Sequence, residues 1–491
     1  MNYIGLGQYL TKDEIMSEQE KQDVNEQSVD AQRRQLLKFS AGAVAGAGVV
    51  AGAGAWVKNR MDGIVHEAFP CEVSADFKPM DQRNVNQTYC ISKALQEKHP
   101  ERNLNFGKES MGPIQPGEEP MHMGEAFQSY LTSSKRYDNN KIGYTQLDYA
   151  LYLAAWQGQN TMAPLSQAGV PSQGVLTWDQ SDLHKHRYPF KDSVEKVSAI
   201  KTAAKTFGAV RVGICRHDPR WDYNPLYNAL TEETLSWEED FPFKPKSVIV
   251  MLVDMDYLAV SCAPMIPQSS TAGVGYSRTA LMAGSMAMFI KKLGYKAVGA
   301  TNDLGNSVAY AISAGLGEGS RNGALVAPNL GPRVRICKVY TDLELDEVAY
   351  DKPRTFGIQE FCENCKRCAE ACPSNAISMD DKPSMGPTYP GADDPEYAWE
   401  VNKGVRKFYS DPKKCLKFWS ENSDCGACIA ACPWNKPDFW HHRLIDASNT
   451  FTGGTVHGLM TKADILFGYG NVNDEEAVIK FWKSGFSGDF T

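Results

Sequence analysis

A surplus of basic charge is missing from this chain: 51 Lys and Arg face 59 Asp and Glu, giving a formal net charge of −8 and a pI near 5.7. That balance argues against a nucleic-acid partner, which needs a basic footprint. A nucleotide cradle is missing too. There is no P-loop, and the glycine-dense block Gly315-Leu316-Gly317-Glu318-Gly319 follows a helical stretch instead of joining a strand to a helix, so it is not a dinucleotide fingerprint. The nine His residues are scattered, with no haem or further metal spacing. No internal repeat is visible beyond a pair of cysteine runs. At 491 residues, the length allows two or three domains with sizeable cores.

What the chain does have is sulfur. It carries 13 cysteines, and two runs stand out. The first is Cys362-x2-Cys365-x2-Cys368-x3-Cys372-Pro373; the second is Cys415, then Cys425-x2-Cys428-x3-Cys432-Pro433. The first run has the bacterial ferredoxin spacing for a [4Fe–4S] cluster, in which the fourth thiolate crosses to the other cluster. Two cubanes follow. Cys362, Cys365, Cys368 and Cys432 are assigned to one, and Cys372, Cys415, Cys425 and Cys428 to the other. The second run departs from the plain repeat, its first ligand being displaced to Cys415. A zinc module favours two separated Cys pairs over a doubled run ending in Cys-Pro. Electron transfer is therefore the chemistry read here. Cys71, Cys90, Cys215, Cys262 and Cys337 stand alone and are read as small buried residues, not disulfide partners.

Residues 1–32 are polar and charged, after which Arg33-Arg34-Gln35-Leu36-Leu37-Lys38 leads into Phe39 and an Ala/Gly/Val-rich stretch ending Ala53-Gly54-Ala55. A twin arginine, a weakly apolar segment and an A-x-A site describe a twin-arginine export signal over residues 1–55. Leu36 stands where Phe is usual. The apolar run, about 17–18 residues of mostly Ala and Gly, sits at the bottom of the range for a membrane span. A leader is the better reading, with a soluble or peripheral protein expected on the outer face of the cytoplasmic membrane.

From Trp56 to Lys191 the chain is irregular and is expected to wrap around something; Gln146–Ala155 reads as helix and Gly158–Gly174 as an extended loop. From residue 192 the pattern alternates. Val194–Phe207 reads as helix, Gly208–Cys215 and Lys246–Asp254 as strands, and Ser277–Leu293 as a long helix stopped by Gly294. Tyr295–Ala300 is expected as strand, Ser307–Ala314 as helix and Val334–Tyr340 as strand. The class expected is α/β (α+β), with a layered core over 192–352, a ferredoxin-like unit over 353–440 and a tail over 441–491 packing back on the core.

Several blocks together carry a resemblance: Tyr276-Ser277-Arg278, Asn302-Asp303-Leu304-Gly305, the run Gly315–Gly323, Gly331-Pro332-Arg333-Val334-Arg335, Asp351-Lys352-Pro353 and Phe361-Cys362. In this order, behind a twin-arginine leader and before two cluster motifs, they resemble the respiratory corrinoid/iron–sulfur reductive dehalogenases. The match runs from about residue 193 onward. The resemblance implies a nitroreductase-like, corrinoid-binding core, an N-terminal wrap and a C-terminal domain with two [4Fe–4S] clusters. It also implies a base-off cobamide, and the chain agrees in lacking the Asp-x-His-x-x-Gly motif of proteins that place histidine under cobalt.

Three residues carry over onto the family's active-site positions: Tyr276 as proton donor, Arg335 as the cation beside it and Asn302 as a polar partner on the substrate side. Replacing C–halogen by C–H needs two electrons and one proton, and a corrinoid supplies no proton. A free phenol holds its proton too tightly at neutral pH, and a neighbouring guanidinium favours the phenolate and so makes a better acid. Each residue also has an ordinary reading, as core tyrosine, salt-bridged strand arginine or turn-forming asparagine. Trp419 matches a position lining the substrate pocket, with bulk core as the alternative. Gly315, Gly317, Ser320 and Gly323 allow close backbone approach, by resemblance to the corrinoid's edge, or else form a helix cap and loop.

The implied function is reduction of a small organohalide, a chlorinated ethene or alkane above a halophenol, as terminal reductase of organohalide respiration. The implied partners are a small integral membrane anchor protein and a quinol-linked donor chain, and a homodimer is allowed. The closest rival is an epoxyqueuosine-reductase-like corrinoid enzyme, which would be cytoplasmic and basic. A pure electron carrier would leave the large region before the clusters without a purpose.

Overall fold

The computed structural model describes residues 63–82, 138–163, 170–228, 233–393, 401–422, 424–437, 461, 464 and 468–484. The segment expected to be an export leader and Cys90 lie outside the described residues. Among the described residues no helix is long and apolar enough to cross a membrane.

The main sheet has four strands: β1 (Arg211–Arg216), β2 (Ser247–Asp254), β3 (Ala297–Ala300) and β4 (Val334–Thr341). Their order is β1-β2-β4-β3, and every pairing is antiparallel. Helices used below are α1 (Gln146–Met162), α2 (Ser193–Thr206), α3 (Ile266–Lys292), α4 (Ser307–Ser313), α5 (Ile358–Asn364), α6 (Pro412–Asn422) and α7 (Glu475–Lys483).

Alternation of strands and helices usually marks a parallel sheet. Here β2 and β3 do run parallel to each other through the crossover helix α3, but β4 inserts between them and pairs antiparallel with both. A split crossover of this kind reconciles the sequence pattern with the observed pairing.

The apolar run Val248–Val253 makes β2 a central strand, because both of its faces must leave water. Val248, Val250 and Leu252 pack with Trp221, Tyr310 of α4 and Tyr340. Ile249, Met251 and Val253 face the other way, onto Ile200 of α2 and Ala280, Met286 and Ile290 of α3. Helices therefore cover both faces. Each such aliphatic side chain contributes about 1.5–3 kcal/mol by burial.

α1 starts with a capping box in which Asp148 accepts from the Thr145 backbone N–H and hydroxyl at 2.9 and 2.7 Å. It continues to Met162, so the loop expected from Gly158 begins later. The reason is packing against α3: a Cβ on Gly158 would lie 2.8 Å from Cβ of Ser277, and Ser277 Oγ donates to Ala155 O at 2.8 Å. α3 itself begins at Ile266, eleven residues before the expected start. The added stretch is rich in Ser, Thr and Gly, poor helix formers, yet nearly all of it is buried, and tertiary packing overrides propensity. Pro267 occupies the first turn, where its missing N–H costs nothing.

Within the expected tail, the described helix α7 packs on these helices. Val478, Phe481 and Trp482 of α7 pack with Tyr144, Tyr149 and Ile266, and Trp482 Nε1 donates to Asp148 at 2.9 Å. Cys215, Cys262 and Cys337 are buried and unpaired as expected, whereas Cys71 is only partly covered.

Candidate active site

Tyr276 lies in the middle of α3, not at a helix start, and is 7% exposed. Its hydroxyl oxygen accepts from Asn302 Nδ2 at 2.7 Å and from Arg335 Nη1 at 3.2 Å. The Arg335 guanidinium also lies over the Tyr276 ring, 4.6 Å from its centroid. Three residues expected to act together, from a helix, a loop and a strand, thus meet at one oxygen.

Each is held by its element. Arg335 sits opposite Val253 in the β4–β2 register, which points it away from the ladder toward α3. Gly275 makes room: a Cβ there would come within 2.7 Å of Arg335 Cγ. Trp156 of α1 stacks on Tyr276, with centroids 5.0 Å apart and planes at 25°, and approaches so closely that Gly273 could carry no side chain. Asn302 rides on a loop pinned from below. Lys338 of β4, fully buried, donates to Thr301 O, Gly305 O and Ser307 Oγ at 2.8, 3.0 and 2.6 Å. Asp303 accepts from the Thr301 N–H at 2.8 Å and the Ser172 hydroxyl at 2.7 Å. Burial raises the Asp303 carboxyl above its ordinary range, against the pull of Ser172 and Lys338.

The second constellation is the cysteines. Cys362, Cys365 and Cys368 are buried, and Cys432 packs against Cys362 and Cys365. Cys368, Cys372 and Cys428 share another small apolar cluster. Burial pushes the Cys362 thiol up to about 12 and Cys428 to about 11; Cys365 adds to the first and Cys372 to the second. Cys415 likewise lies within electrostatic reach of Cys428 and Cys372, and Cys425 of Cys428 and Cys415. Cys362, Cys365 and Cys432 thus lie together, as do Cys372, Cys415, Cys425 and Cys428, while Cys368 borders both groups. Thiols buried in this way need a metal to become thiolates, and bound iron would supply the compensating charge.

Trp419 of α6 hydrogen-bonds the carboxylate of Asp424, which is buried and within electrostatic reach of Arg335. The segment carrying Cys425 therefore reaches the Tyr276 group, since the Cys425 N–H donates to the same Asp424 at 2.6 Å.

The glycine-dense block takes up other contacts than those expected. Positions for a Cβ on Gly315 and Gly317 are filled by Lys352 O and Val326 O, at 2.4 and 2.5 Å. Ser320 Oγ turns onto Asn322 and Ala324, and Gly323 has open space around it. The polar residues between them engage the ferredoxin-like unit. Glu318 accepts from the N–H groups of Phe356, Ile358 and Gln359 at 2.7, 3.2 and 3.1 Å, at the start of α5. Arg321 and Asn322 reach the far end of α5 and Cys428. Small size was the legible property; the charged residues within the block were the informative ones.

A family model described as a 4Fe-4S dicluster domain matches residues 361–436. The tetrachloroethene reductive dehalogenase of Desulfitobacterium hafniense strain Y51 is 35% identical over 72% of this chain and 73% of its own length. The chain belongs to the reductive dehalogenase family. Reductive dehalogenases are oxidoreductases acting on carbon–halogen bonds, and the tetrachloroethene reductive dehalogenase of Sulfurospirillum multivorans is a more distant member, 32% identical over 62% of each chain. The fold agrees. A catabolic reductive dehalogenase superposes with a TM-score of 0.60, and a second solved structure, described as a reductive dehalogenase structure that suggests a mechanism for B12-dependent dehalogenation, with 0.59. Both are 22% identical to this chain and covered over 86% of it, while the chain spans about half the length (50%) of those solved structures.

The Tyr276 surroundings suit the corrinoid of reductive dehalogenases. Trp156 Nε1, Thr301 Oγ1 and Arg335 Nε are buried without a hydrogen-bond partner among the described residues. Such atoms in a folded protein call for a polar group to satisfy them.

Proposed function

We propose that this reductive dehalogenase replaces C–halogen by C–H in a small chlorinated hydrocarbon, a chlorinated ethene above an alkane, with Tyr276 as the proton donor. The observation that carries the reading is the convergence of Asn302 and Arg335 on the Tyr276 hydroxyl. The overall change takes up two electrons and one proton and releases halide. A corrinoid bound near Tyr276 would supply those electrons. Cys362, Cys365, Cys368 and Cys432 would hold one cubane, and Cys372, Cys415, Cys425 and Cys428 the other.

The remaining chemistry belongs to side chains. Tyr276 holds the proton at its hydroxyl until carbon needs it. The two donors already on that oxygen stabilise the phenolate left behind, with the charged one contributing more. Arg335 adds positive charge where halide departs. Trp156 and the walls of α3 exclude water, which strengthens both effects. Trp419 would complete the substrate side through Asp424.

The names of the relatives favour a chlorinated ethene as substrate. The same reading places the protein at the outer face of the cytoplasmic membrane after twin-arginine export. There it would receive quinol-derived electrons beside a small integral membrane anchor protein, as terminal reductase. Anaerobic turnover with reduced viologen against haloethenes, haloalkanes and halophenols tests the substrate; preference for a halophenol would replace it. Tyr276→Phe should lower turnover by about 10²–10⁴-fold with cubane and Co(II) EPR signals retained. Undiminished turnover in that variant would remove Tyr276 as the acid.

A further inference from the structure

Arg321 is a cation buried without an anion. Its relative exposure is 0%, and it stands among the largest fully buried side chains. All of its side-chain hydrogen bonds go to backbone carbonyls. Nε donates to Cys362 O and Cys365 O at 3.2 and 3.0 Å, Nη2 to Cys362 O at 2.6 Å, and Nη1 to Ser378 O and Asp380 O at 2.7 and 2.8 Å. The guanidinium carbon lies 4.0 Å from the centroid of Phe408. Among the described residues no carboxylate pairs with it. The candidates are engaged elsewhere: Asp380 Oδ2 by Ser378, Asp381 by Lys366, and Glu318 by the three N–H groups that open α5.

Carbonyl dipoles and a ring face satisfy the donors, and Asp380 and Asp381 act on the guanidinium only through space while bonded to Ser378 and Lys366, so the charge lacks a direct counter-ion. Buried charges are paired in folded proteins, because an isolated one costs several kcal/mol. The side chain terminates on the carbonyls of two cysteines assigned to the same cubane, and the Arg321 backbone N–H hydrogen-bonds the Cys362 sulfur. A cluster held by those cysteines would supply the direct counter-ion. A cubane with four thiolates is negative, and each electron added makes it more so. A fixed cation in a dry site favours the reduced form, since the Coulomb energy is poorly screened there.

We propose that Arg321 is the buried counter-charge of the Cys362/Cys365/Cys368/Cys432 cluster and holds its reduction potential up. The proposal rests on that ligand assignment. It makes Arg321 a positioning and tuning residue that touches neither substrate nor corrinoid.

The test is an anaerobic EPR-monitored redox titration of the full-length, cluster-loaded enzyme against Arg321→Met, Arg321→Gln and Arg321→Lys. In the neutral variants one cubane should become harder to reduce by at least tenfold, about 59 mV for a one-electron couple. The other cubane should move less, and Arg321→Lys should stay near the wild type. An unchanged midpoint in a neutral variant with full cubane content would overturn the proposal. So would a shift in Arg321→Lys as large as in Arg321→Met, which would assign the effect to packing. Failure of both neutral variants to hold a cubane would overturn it as well, because the residue would then serve the fold alone. A wild type without two cubane signals would instead defeat the ligand assignment.

Discussion

The Tyr276 oxygen receives two donors of unequal kind. Arg335 brings a full charge at 3.2 Å and Asn302 a neutral amide at 2.7 Å. If negative charge builds on that oxygen as the proton leaves, the Asn302 bond strengthens during the reaction, and a hydrogen bond to a charged group is worth roughly 1.5–3 kcal/mol. Asn302→Ala should then reduce kcat by about 10–100-fold with little change in KM, because the lost interaction belongs to the transition state. A variant that altered KM alone would place Asn302 in substrate binding. Lys338 acts one layer below. Burial holds its ammonium down to about 8, against 10.5 for an ordinary lysine. Below pH 8 folded and unfolded chains both carry the proton; between 8 and 10.5 only the unfolded chain does. Stability therefore rises with pH across that window, by roughly 1 kcal/mol per unit. Chemical denaturation of wild type and Lys338→Met at stepped pH should show the difference moving in the wild type's favour from pH 8 upward. A constant difference would mean that the amine keeps its proton.

α3 joins two demands that conflict. A helix gains from alanine over glycine, by up to about 1 kcal/mol, yet Gly275 faces Arg335 so closely that a methyl group must displace it. Gly275→Ala is expected to leave thermal stability within about 1 kcal/mol of wild type while lowering turnover at least tenfold. Equal turnover in a crystal or solution state with Arg335 unmoved would show that the contact has slack. This helix also marks where sequence reading stops. Its second half, Ser277 onward, shows apolar periodicity and was legible. The first half, Ile266–Tyr276, is small and polar and becomes helical only through α1, whose Trp156 and Gly158 close on Gly273 and Ser277. Nothing local in either segment announces the other. The β2 strand was legible for the opposite reason: six consecutive apolar residues, four of them β-branched, have the length and composition of a strand buried on both faces.

Across the whole molecule the same division holds. The dicluster segment could be read directly, since cubane chemistry dictates short fixed spacings and Cys362 to Cys372 are neighbours in sequence. The Tyr276, Asn302 and Arg335 set could not be derived from spacing; their meeting depends on β4 inserting between β2 and β3. Family resemblance supplied those three, and the fold supplies the reason they touch. Trp156 and Arg321 went unnoticed because their partners are distant in the chain and no periodicity links them. Lys338 was hidden within an expected strand, where a lysine would ordinarily face water.

Glu318 and Arg321, three residues apart on the core side, grip opposite ends of α5. The helix that presents Cys362 is thus finished by side chains encoded before the cysteine runs begin. A fragment starting at residue 353 would carry every sulfur ligand and neither grip, so the cysteine-rich segment lacks the autonomy of a free-standing ferredoxin. Metal loading is accordingly expected to follow closure of the sheet-bearing part, with a chain arrested before that closure presenting its thiols unshaped.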